Sequence, residues 1–434
     1  MGRKLNVLIR DCGGDAALAR KGLDASGFVM TSWPVDATPD RLAQPVWDAI
    51  LIVADTEDDV LAAVQQVKNS PSAGTPILAC SDFNPLPFGV QAWLRPPASS
   101  TQLAARIRTL SRLRTMEDIV LRRRAAAHVF DKSLQDDLDE DGRACVLFVG
   151  EATPRFMHLR YALSDINTDV IAAFSSYSAF DYLHERPFDA VVLNAMKSTD
   201  IAFTISSAMR RNTRLYHTPV LLLARAGLKD AAEEAFARGV SDLLPDNATD
   251  EEIRGRILIL AEERRRRRRA KRRLEACRTP KTLDEDTGLY RERFALAHLQ
   301  DLLNATRRNE RATGLVLLRL GAPEHAQSDS AIRDARKQFA SMLRHLLRAE
   351  DCAACLAPDL FAAILPMTDA EGAACVAERV AAIADCTAFE GDDPLRPFRL
   401  SVQTAAVDAM GEETAEAFIE RAQRLFSTPK TKAL

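Results

Sequence analysis

Short runs of uninterrupted apolar residues punctuate this chain, and they recur in the same order. Trp47-Asp48-Ala49-Ile50-Leu51-Ile52-Val53-Ala54 matches Phe188-Asp189-Ala190-Val191-Val192-Leu193-Asn194-Ala195, 141 residues later. Thr75-Pro76-Ile77-Leu78-Ala79 returns as Thr218-Pro219-Val220-Leu221-Leu222, and Val7-Leu8-Ile9-Arg10-Asp11 has its counterpart in Leu147-Phe148-Val149-Gly150-Glu151. Three runs at a near-constant offset predict two copies of one domain. Each run is apolar throughout and β-rich, the pattern of a strand buried on both faces of a parallel sheet. Helical patterns lie between them, as in Asp15 to Gly27 and Asp230 to Gly239. Alternating βα units around a parallel sheet are therefore predicted for each copy, with any site at the carboxyl ends of the strands.

Two further helices punctuate the chain. Met116 to Leu138, rich in Arg, Ala and Leu, joins the two copies. Thr249-Asp250-Glu251-Glu252 opens another with a capping box, and Ile253, Ile257 and Leu260 follow at helical spacing. That helix runs into six consecutive arginines, Arg264 to Arg269, then Ala270-Lys271-Arg272-Arg273, and stops before Thr279-Pro280. From Asp284 a third domain shows apolar runs at Thr313 to Leu320, Leu360 to Leu365 and Phe398 to Ala406, separated by helices. An α/β sheet of different topology is expected there.

Composition changes this picture little. The 434 residues suit about three domains at ~150 residues each. With 47% hydrophobic and 27% charged residues, collagen-like, disordered and mucin-like chains are excluded. No apolar stretch is long enough to predict a membrane span, and Met1 to Asp11 lacks the apolar core of a secretory signal. The eight cysteines then read as reduced thiols of a cytoplasmic protein. Cys352-x-x-Cys355 has no second half-site at metal spacing and reads as structural. Cys375 and Cys386 are expected as small buried apolar residues. The net charge of −3 names no polyanionic partner. The arginine run has no interleaved aromatics or DNA-binding pattern. It reads first as a solvated interdomain helix, second as a contact for ligand or partner, and only distantly as a nucleic-acid surface.

The repeated domains resemble response-regulator receiver domains, whose fold is a flavodoxin-like, five-stranded doubly wound parallel sheet. That resemblance implies an acidic pair after strand one, a phosphoacceptor Asp ending strand three, a hydroxyl after strand four and a Lys-Pro after strand five. Carboxylates there hold Mg²⁺, which neutralises an incoming phosphoryl group. In the first copy Asp11 remains from the acidic pair, the acceptor register falls on Val53, and Asp55 stands two residues on. Ser81 supplies the hydroxyl and Arg95, before Pro96, takes the Lys position. Asp55 is the phosphoacceptor candidate, with a solvated loop aspartate as the alternative, and Mg²⁺ at this domain depends on that choice. The second copy has Gly150-Glu151, Asn194 and Ala224 at the corresponding positions and no Lys in Ser241-Asp242-Leu243-Leu244-Pro245. Asn194 cannot accept a phosphoryl group as Asp does, so this copy is expected to be an adaptor for homodimerisation.

The third domain opens Asp284-Glu285-Asp286-Thr287-Gly288-Leu289-Tyr290-Arg291-Glu292-Arg293-Phe294, which resembles the D-x-L-T-G-L-Y-N-R-R-F opening of GGDEF (diguanylate cyclase) domains, with Asp286 replacing Leu. The family pattern R-x-x-D, five residues, G-G-[DE]-E-F is met by Arg348-Ala349-Glu350-Asp351 and then by Ala357-Pro358-Asp359-Leu360-Phe361. The first half is intact and the signature is degenerate. Glycines let the hairpin backbone approach GTP, whereas Pro358 removes an N–H and fixes φ. Asp359 could still be one metal ligand, but Arg319 stands where the resemblance places the metal Asp at the end of the first strand, and its charge repels Mg²⁺. The guanine-recognition segment of the family has no match in Gly321 to Ser330.

The family's inhibitory site is a separate surface, and its parts remain. Arg348 and Asp351 are spaced i, i+3, as on one face of a helix end. An Arg fork suits guanine O6 and N7, and a carboxylate suits the N1–H and amino edge. The family's second Arg falls on Arg379. Such a spacing alone more often marks a surface ion pair; its position before the hairpin, with Arg379 in register, gives it weight.

The whole arrangement resembles PleD-like regulators. The domains expected are residues 1–115 (receiver), 116–142 (helical linker), 143–262 (degenerate adaptor receiver), 263–283 (basic linker helix) and 284–434 (degenerate GGDEF). The resemblance implies a non-catalytic cyclic di-GMP effector of the bacterial cell cycle, binding its ligand through Arg348, Asp351 and Arg379. It further implies action at the cell pole, in a complex delivering a regulator to a ClpXP-type protease. A weakly active cyclase using Asp359, and a phosphorylation-driven scaffold with Asp55 as input, are the alternatives.

Overall fold

A computed structural model describes residues 4–12, 23–24, 26–34, 42, 47–84, 86–96, 98–134, 142–152, 154–164, 168–225, 229–309, 312–323, 327–393 and 395–427. The helical pattern expected over Asp15 to Gly27 lies largely outside the described residues. The fold is α/β. It contains two parallel five-stranded sheets and a third, mixed one.

The first sheet comprises β1 (Asn6–Cys12), β2 (Val29–Trp33), β3 (Ala49–Ala54), β4 (Ile77–Cys80) and β5 (Ala92–Leu94), in the order β2-β1-β3-β4-β5. The helices α1 (Glu57–Lys68) and α2 (Ser100–Phe130) belong to this stretch. The second sheet repeats the pattern with β6 (Ala144–Val149), β7 (Thr168–Ala173), β8 (Ala190–Asn194), β9 (Val220–Ala224) and β10 (Asp242–Pro245), ordered β7-β6-β8-β9-β10. Its helices are α3 (Pro154–Ala162), α4 (Ser176–Glu185), α5 (Asp200–Arg211), α6 (Lys229–Ala237) and α7 (Asp250–Ala276). Both sheets have the flavodoxin-like order 2-1-3-4-5. The repeat extends to single bonds. Asp48 Oδ2 accepts from the Asn6 N–H at 2.9 Å, and Asp189 Oδ2 accepts from the Cys145 N–H at 3.0 Å. The Asp in both Trp/Phe-Asp-Ala runs is therefore a buried clasp between the sheet's first and third strands.

The chain divides into two compact units, one of residues 4–114 and 138–269 and the other of 115–137 and 270–434. In the first unit a buried polar network joins the two parallel sheets. Arg106 on α2 forms a two-pronged ion pair with Glu263 on α7, with Arg106 Nη1 3.2 Å from Oε2. Gln102 donates to Asp242 at 2.5 Å, and Arg256 bridges Asp242 and Glu252 at 2.8 and 3.2 Å. Thr249 Oγ1 accepts from the Glu252 N–H, the N-cap bond of the expected capping box. The arginine run differs from its first reading. Arg264 to Arg269 are half-buried, and Arg265 and Arg268 both pair with buried Asp189, at 3.4 and 2.8 Å. An uncompensated buried carboxylate attracts cations, and the amphipathic turn of α7 brings them to it.

The second unit holds β11 (Tyr290–Arg291), α8 (Glu292–Asn309), β12 (Thr313–Pro323), α9 (Asp329–Leu346), β13 (Cys352–Ala357), β14 (Leu360–Pro366), α10 (Ala370–Asp385), β15 (Leu400–Asp408) and α11 (Ala415–Arg424). The sheet order is β11-β13-β14-β12-β15, with β13, β14, β12 and β15 antiparallel in turn. One face buries Met116, Ile119, Val120 and Ala127 of α2 together with Phe294, Leu299 and Phe418. The expected helix over Met116 to Leu138 is thus the second half of a longer helix ending at Phe130. The other face buries Phe339, Leu343, Phe361 and Val380. Cys352 and Cys355 are buried as the structural reading expects, but Cys375 and Cys386 are exposed. Both fall on the outward side of α10 or at its C-cap, while Ala373, Ala377, Val380 and Ala384 take the inward positions.

Candidate functional site

The Asp284-to-Tyr290 opening is a scaffold. Asp284 Oδ1 accepts from the Thr287 N–H at 2.9 Å and from its hydroxyl at 2.6 Å, and Gly288 turns the chain at φ +66°. Asp286 is exposed, so an acid is tolerated where the family keeps Leu. Tyr290 then stacks on Phe294 at 4.4 Å, seating the strand end that flanks β13.

β13 and β14 form a hairpin closed by Pro358 and Asp359, with Ala357 opposite Leu360. Pro at the first central position excludes the turns that need positive φ there. A register shift between Cys355 and Ala357 accommodates the misfit. Asp359 gives its carbonyl to the Leu320 N–H at 2.8 Å, which places the hairpin tip against β12. There Arg319 Nε lies 4.0 Å from Asp359 Oδ2, and its guanidinium rests 4.5 Å over the Phe426 ring. The guanidinium beside Asp359 repels a divalent cation, so these two residues do not fit a Mg²⁺-binding pair. Among the described residues no group of three or more His, Cys, Asp or Glu side chains could hold a metal ion.

Arg348, Asp351 and Arg379 gather at the end of α9. Arg348 and Asp351 are not on a helix end, as their spacing suggests, but in the turn between α9 and β13. The Arg348 N–H donates to Asp351 Oδ2 at 2.8 Å, and the Asp351 N–H donates back to the Arg348 carbonyl at 3.2 Å. A carboxylate that closes its own turn is an efficient use of a short side chain. It also leaves the Arg348 side chain exposed. Arg379, on α10, is exposed too, and its Nη2 donates to the Leu346 carbonyl at 2.9 Å. Two arginines thus flank a carboxyl group that is only 8% exposed. Burial is the main cause that pushes the Asp351 pKa up to about 7, with nearby Glu350 adding to it against the Arg348 N–H bond.

One residue of this site is not legible in the sequence. Arg123 of α2, itself 2% exposed, donates to the carbonyls of Ala349 at 3.3 Å and Glu350 at 2.5 Å. Its guanidinium lies 5.7 Å over the Tyr290 ring. The planar fork holds the backbone of the turn from below while Arg348 and Asp351 define its outer side. Arg122, Arg123 and Arg124 look alike in a helix rich in Arg and Ala, and only packing singles out the middle one.

At the first parallel sheet, Asp11, the penultimate residue of β1, pairs in register with Val53 of β3, and Asp55 follows β3 and is exposed. Arg10, its neighbour in the chain, is buried with its guanidinium 4.3 Å over Trp33 and bonded to Gln66 at 3.1 Å. At the second sheet Gly150 has φ +152°, and a Cβ there would lie 2.5 Å from that of Asn194. Where the resemblance calls for an acid, this loop has no room for any side chain. Glu151 instead pairs with Lys197 at 2.5 Å.

No protein-family model matches the chain. It is similar to the Response regulator PleD of Caulobacter vibrioides, at 21% identity over 346 residues, 78% of this chain and 75% of that protein. Among solved structures it is similar to the FimX GGDEF domain from Pseudomonas aeruginosa (23% identity, 33% of this chain and 90% of that one, TM-score 0.28). It is also similar to the GGDEF domain of DgcB from Caulobacter crescentus in complex with c-di-GMP (17%, 35% and 88%, TM-score 0.30). A third is the chemotaxis response regulator CheY4 of Vibrio cholerae (19%, 27% and 98%, TM-score 0.26). No helix among the described residues is long and apolar enough to cross a membrane.

Proposed function

We propose that this protein is a non-catalytic cyclic di-GMP effector that binds its ligand through Arg348, Asp351 and Arg379. The observation that carries the reading is the division within the third domain. The Arg348–Asp351 turn is closed by its own hydrogen bonds, held from beneath by Arg123 and flanked by Arg379. The hairpin beside it carries Pro358 and an Arg319–Asp359 contact where a cyclase needs glycine and two metal carboxylates. Exposed guanidiniums offer a fork to guanine O6 and N7 or a plane for stacking, and Asp351 offers its Oδ1 to a guanine N1–H and amino group. The second parallel sheet serves as an adaptor for homodimerisation, since Asn194 and Gly150 replace its acceptor and acidic residues. The combination resembles PopA, and by that resemblance the bound form recruits protein partners for polar localisation and ClpXP-type proteolysis.

Calorimetry with cyclic di-GMP tests the reading. Wild type is expected to bind, and Arg348→Ala to lose most of that heat; equal heats from both overturn it. Incubation with GTP and Mg²⁺ is expected to yield no cyclic dinucleotide, and its appearance would favour the cyclase reading instead. A second reading, phosphoryl input at Asp55, draws on that residue's exposure at the carboxyl end of β3. Acetyl-phosphate labelling of wild type against Asp55→Asn decides it.

A further inference from the structure

A cavity of about 630 Å³ opens at the carboxyl ends of the second parallel sheet. It is lined by Val149 and Gly150 at the end of β6, by Leu193 and Asn194 at the end of β8, and by side chains of the loops and helix starts that follow. An open α/β sheet with this strand order forms its ligand crevice at that edge, and the volume lies within the range of about 300–1,000 Å³ typical of small-molecule sites. The wall is apolar and fixed. Phe174 and Ile201 line it while 53% and 61% exposed. Phe174 stands edge-on to Phe156 at 5.8 Å, and Phe156 packs 5.2 Å from buried Phe148, so a ladder of aromatic rings anchors the rim to the core. A fixed aromatic ring left half-bare to water costs free energy that an apolar body laid over it recovers.

The polar part of the lining selects against ions. Its Lys, Arg, Asp and Glu balance, Lys197 and Arg225 against Glu151 and Asp246, and Lys197 pairs with Glu151. The helix starts are served from within the chain. The Ser178 N–H donates to Ser175 Oγ at 3.1 Å, and the Asp200 N–H to Ser198 Oγ at 3.2 Å. Asp200 also sets a negative charge in the first turn of α5, which offsets the positive end of that helix. One group is placed to read a ligand. Asn194 Oδ1 accepts from the Met196 N–H at 3.2 Å. A backbone N–H only donates, so the contacting atom is the amide oxygen, and the amide nitrogen remains as a donor. It lies 3.4 Å from where a Gly150 Cβ would stand, so glycine leaves this donor uncovered.

We propose that this cavity binds a small uncharged molecule with an apolar, ring-sized body and one carbonyl-type acceptor. The body packs on Phe174 and Ile201, and the acceptor takes a hydrogen bond from Asn194 Nδ2. A mostly apolar wall with one or two placed polar groups supplies affinity through the first and orientation through the second. The site shares no residue with Arg348, Asp351 and Arg379 and does not rest on the cyclic di-GMP reading.

Fluorescence titration of the full chain with prodan, an uncharged naphthalene carrying one ketone, tests it. Saturable binding of one probe per chain, with blue-shifted emission, is expected. Phe174→Ala and Ile201→Glu are each expected to weaken it about tenfold or more. Both side chains are exposed and lie on different elements, so a folding defect in one variant leaves the other as a probe. Asn194→Ala is expected to cost about three- to tenfold, the worth of one hydrogen bond, and Arg348→Ala to bind as wild type does. Displacement supplies the second arm, in which acetylnaphthalene is expected to compete and naphthoate, the same body with a carboxylate, is not. Absence of saturable binding, or affinity unchanged in both Phe174→Ala and Ile201→Glu, overturns the site. Naphthoate competing as well as the ketone overturns the uncharged class, and an Asn194→Ala affinity equal to wild type overturns the hydrogen bond.

Discussion

The pKa of about 7 at Asp351 gives the proposed dinucleotide site a pH dependence whose sign can be worked out. A carboxylate that accepts from guanine must be ionised when the ligand is bound. The apparent association constant then scales with the ionised fraction, which for a pKa near 7 is about 0.09 at pH 6 and about 0.9 at pH 8. Affinity is expected to rise about tenfold over that interval and then level off, with one proton released on binding near pH 6. The same group acts on folding in the opposite direction. Its folded pKa lies above the unfolded value of about 3.9, so between these values the native state holds the extra proton. Stability therefore falls as pH rises from about 4 to 7, by at most about 4 kcal/mol, and is level above that. Calorimetry at pH 6, 7 and 8, in buffers of different ionisation heat, reads the first effect, and urea melts at pH 4 to 8 read the second. Asp351→Asn is expected to flatten both curves. Wild-type affinity that stays constant from pH 6 to 8, while Arg348→Ala still abolishes binding, would refute the role given to the carboxylate and leave the arginines alone as the grip.

Three further outcomes follow from the packing. Arg123→Ala leaves the Ala349 and Glu350 carbonyls without the bonds they receive. It is expected to destabilise the 270–434 unit by about 1–3 kcal/mol and to weaken cyclic di-GMP binding, seen in thermal melts and calorimetry, with Arg123→Lys failing to restore the two-carbonyl fork. Glu263→Ala strands Arg106, which is 1% exposed, and is expected to cost about 3–5 kcal/mol in denaturant unfolding, whereas replacing both with apolar residues recovers most of it. Gly239→Ala combines φ +88° with a Cβ 2.3 Å from Arg210 Cγ; a loss of several degrees in melting temperature is expected, larger than for Gly27→Ala, where φ is +81° but nothing lies within 4 Å.

The central strands β1, β3 and β4, and their counterparts β6, β8 and β9, were legible because burial on both faces leaves mostly apolar residues along each run and the repeat doubled the signal, whereas β2 and β7, half-exposed and carrying Thr, Ser or Asp, gave no such run. β13 was harder to read: Cys352-Ala353-Ala354-Cys355 is small and carries little β propensity, and it pairs as a strand because Ile364 and Phe361 stand opposite. The arginine run misled for a related reason. Six like charges read as solvent-facing, but the buried acid Asp189 that pairs with Arg265 and Arg268 lies far away in the chain. For the proposed site, the motif spacing names Arg348, Asp351 and Arg379, which the structure gathers at the end of α9. It could not show that the Arg348 and Asp351 pair forms a self-closed turn instead of a helix face, because i, i+3 spacing suits both. Arg123 carried no local signal at all.

The separateness of the two surfaces of the third domain has a structural cause that makes the proposed division of function plausible on physical grounds. The hairpin tip is tied to β12 through Leu320 and Asp359 and closes with Pro358, while the Arg348–Asp351 turn is tied to α2 through Arg123 and to α10 through Arg379. The shared element is β13, whose residues from Cys352 to Cys355 are buried and paired throughout. A substitution at the tip therefore changes the turn closure and the charge beside Arg319 without touching any bond that shapes the other end of the strand. Losses at one end need not propagate, since close-packed strand residues transmit register but not the chemistry of a solvent-facing loop. The converse also holds, and it makes the argument testable as a pair. Restoring the tip with Ala357→Gly and Pro358→Gly is expected to leave cyclic di-GMP affinity within about twofold of wild type, because none of the bonds to Ala349, Glu350 or Leu346 involves it. A tenfold change in affinity from the tip alone would mean that the two ends are coupled through β13, and the independence on which the effector reading rests would be lost.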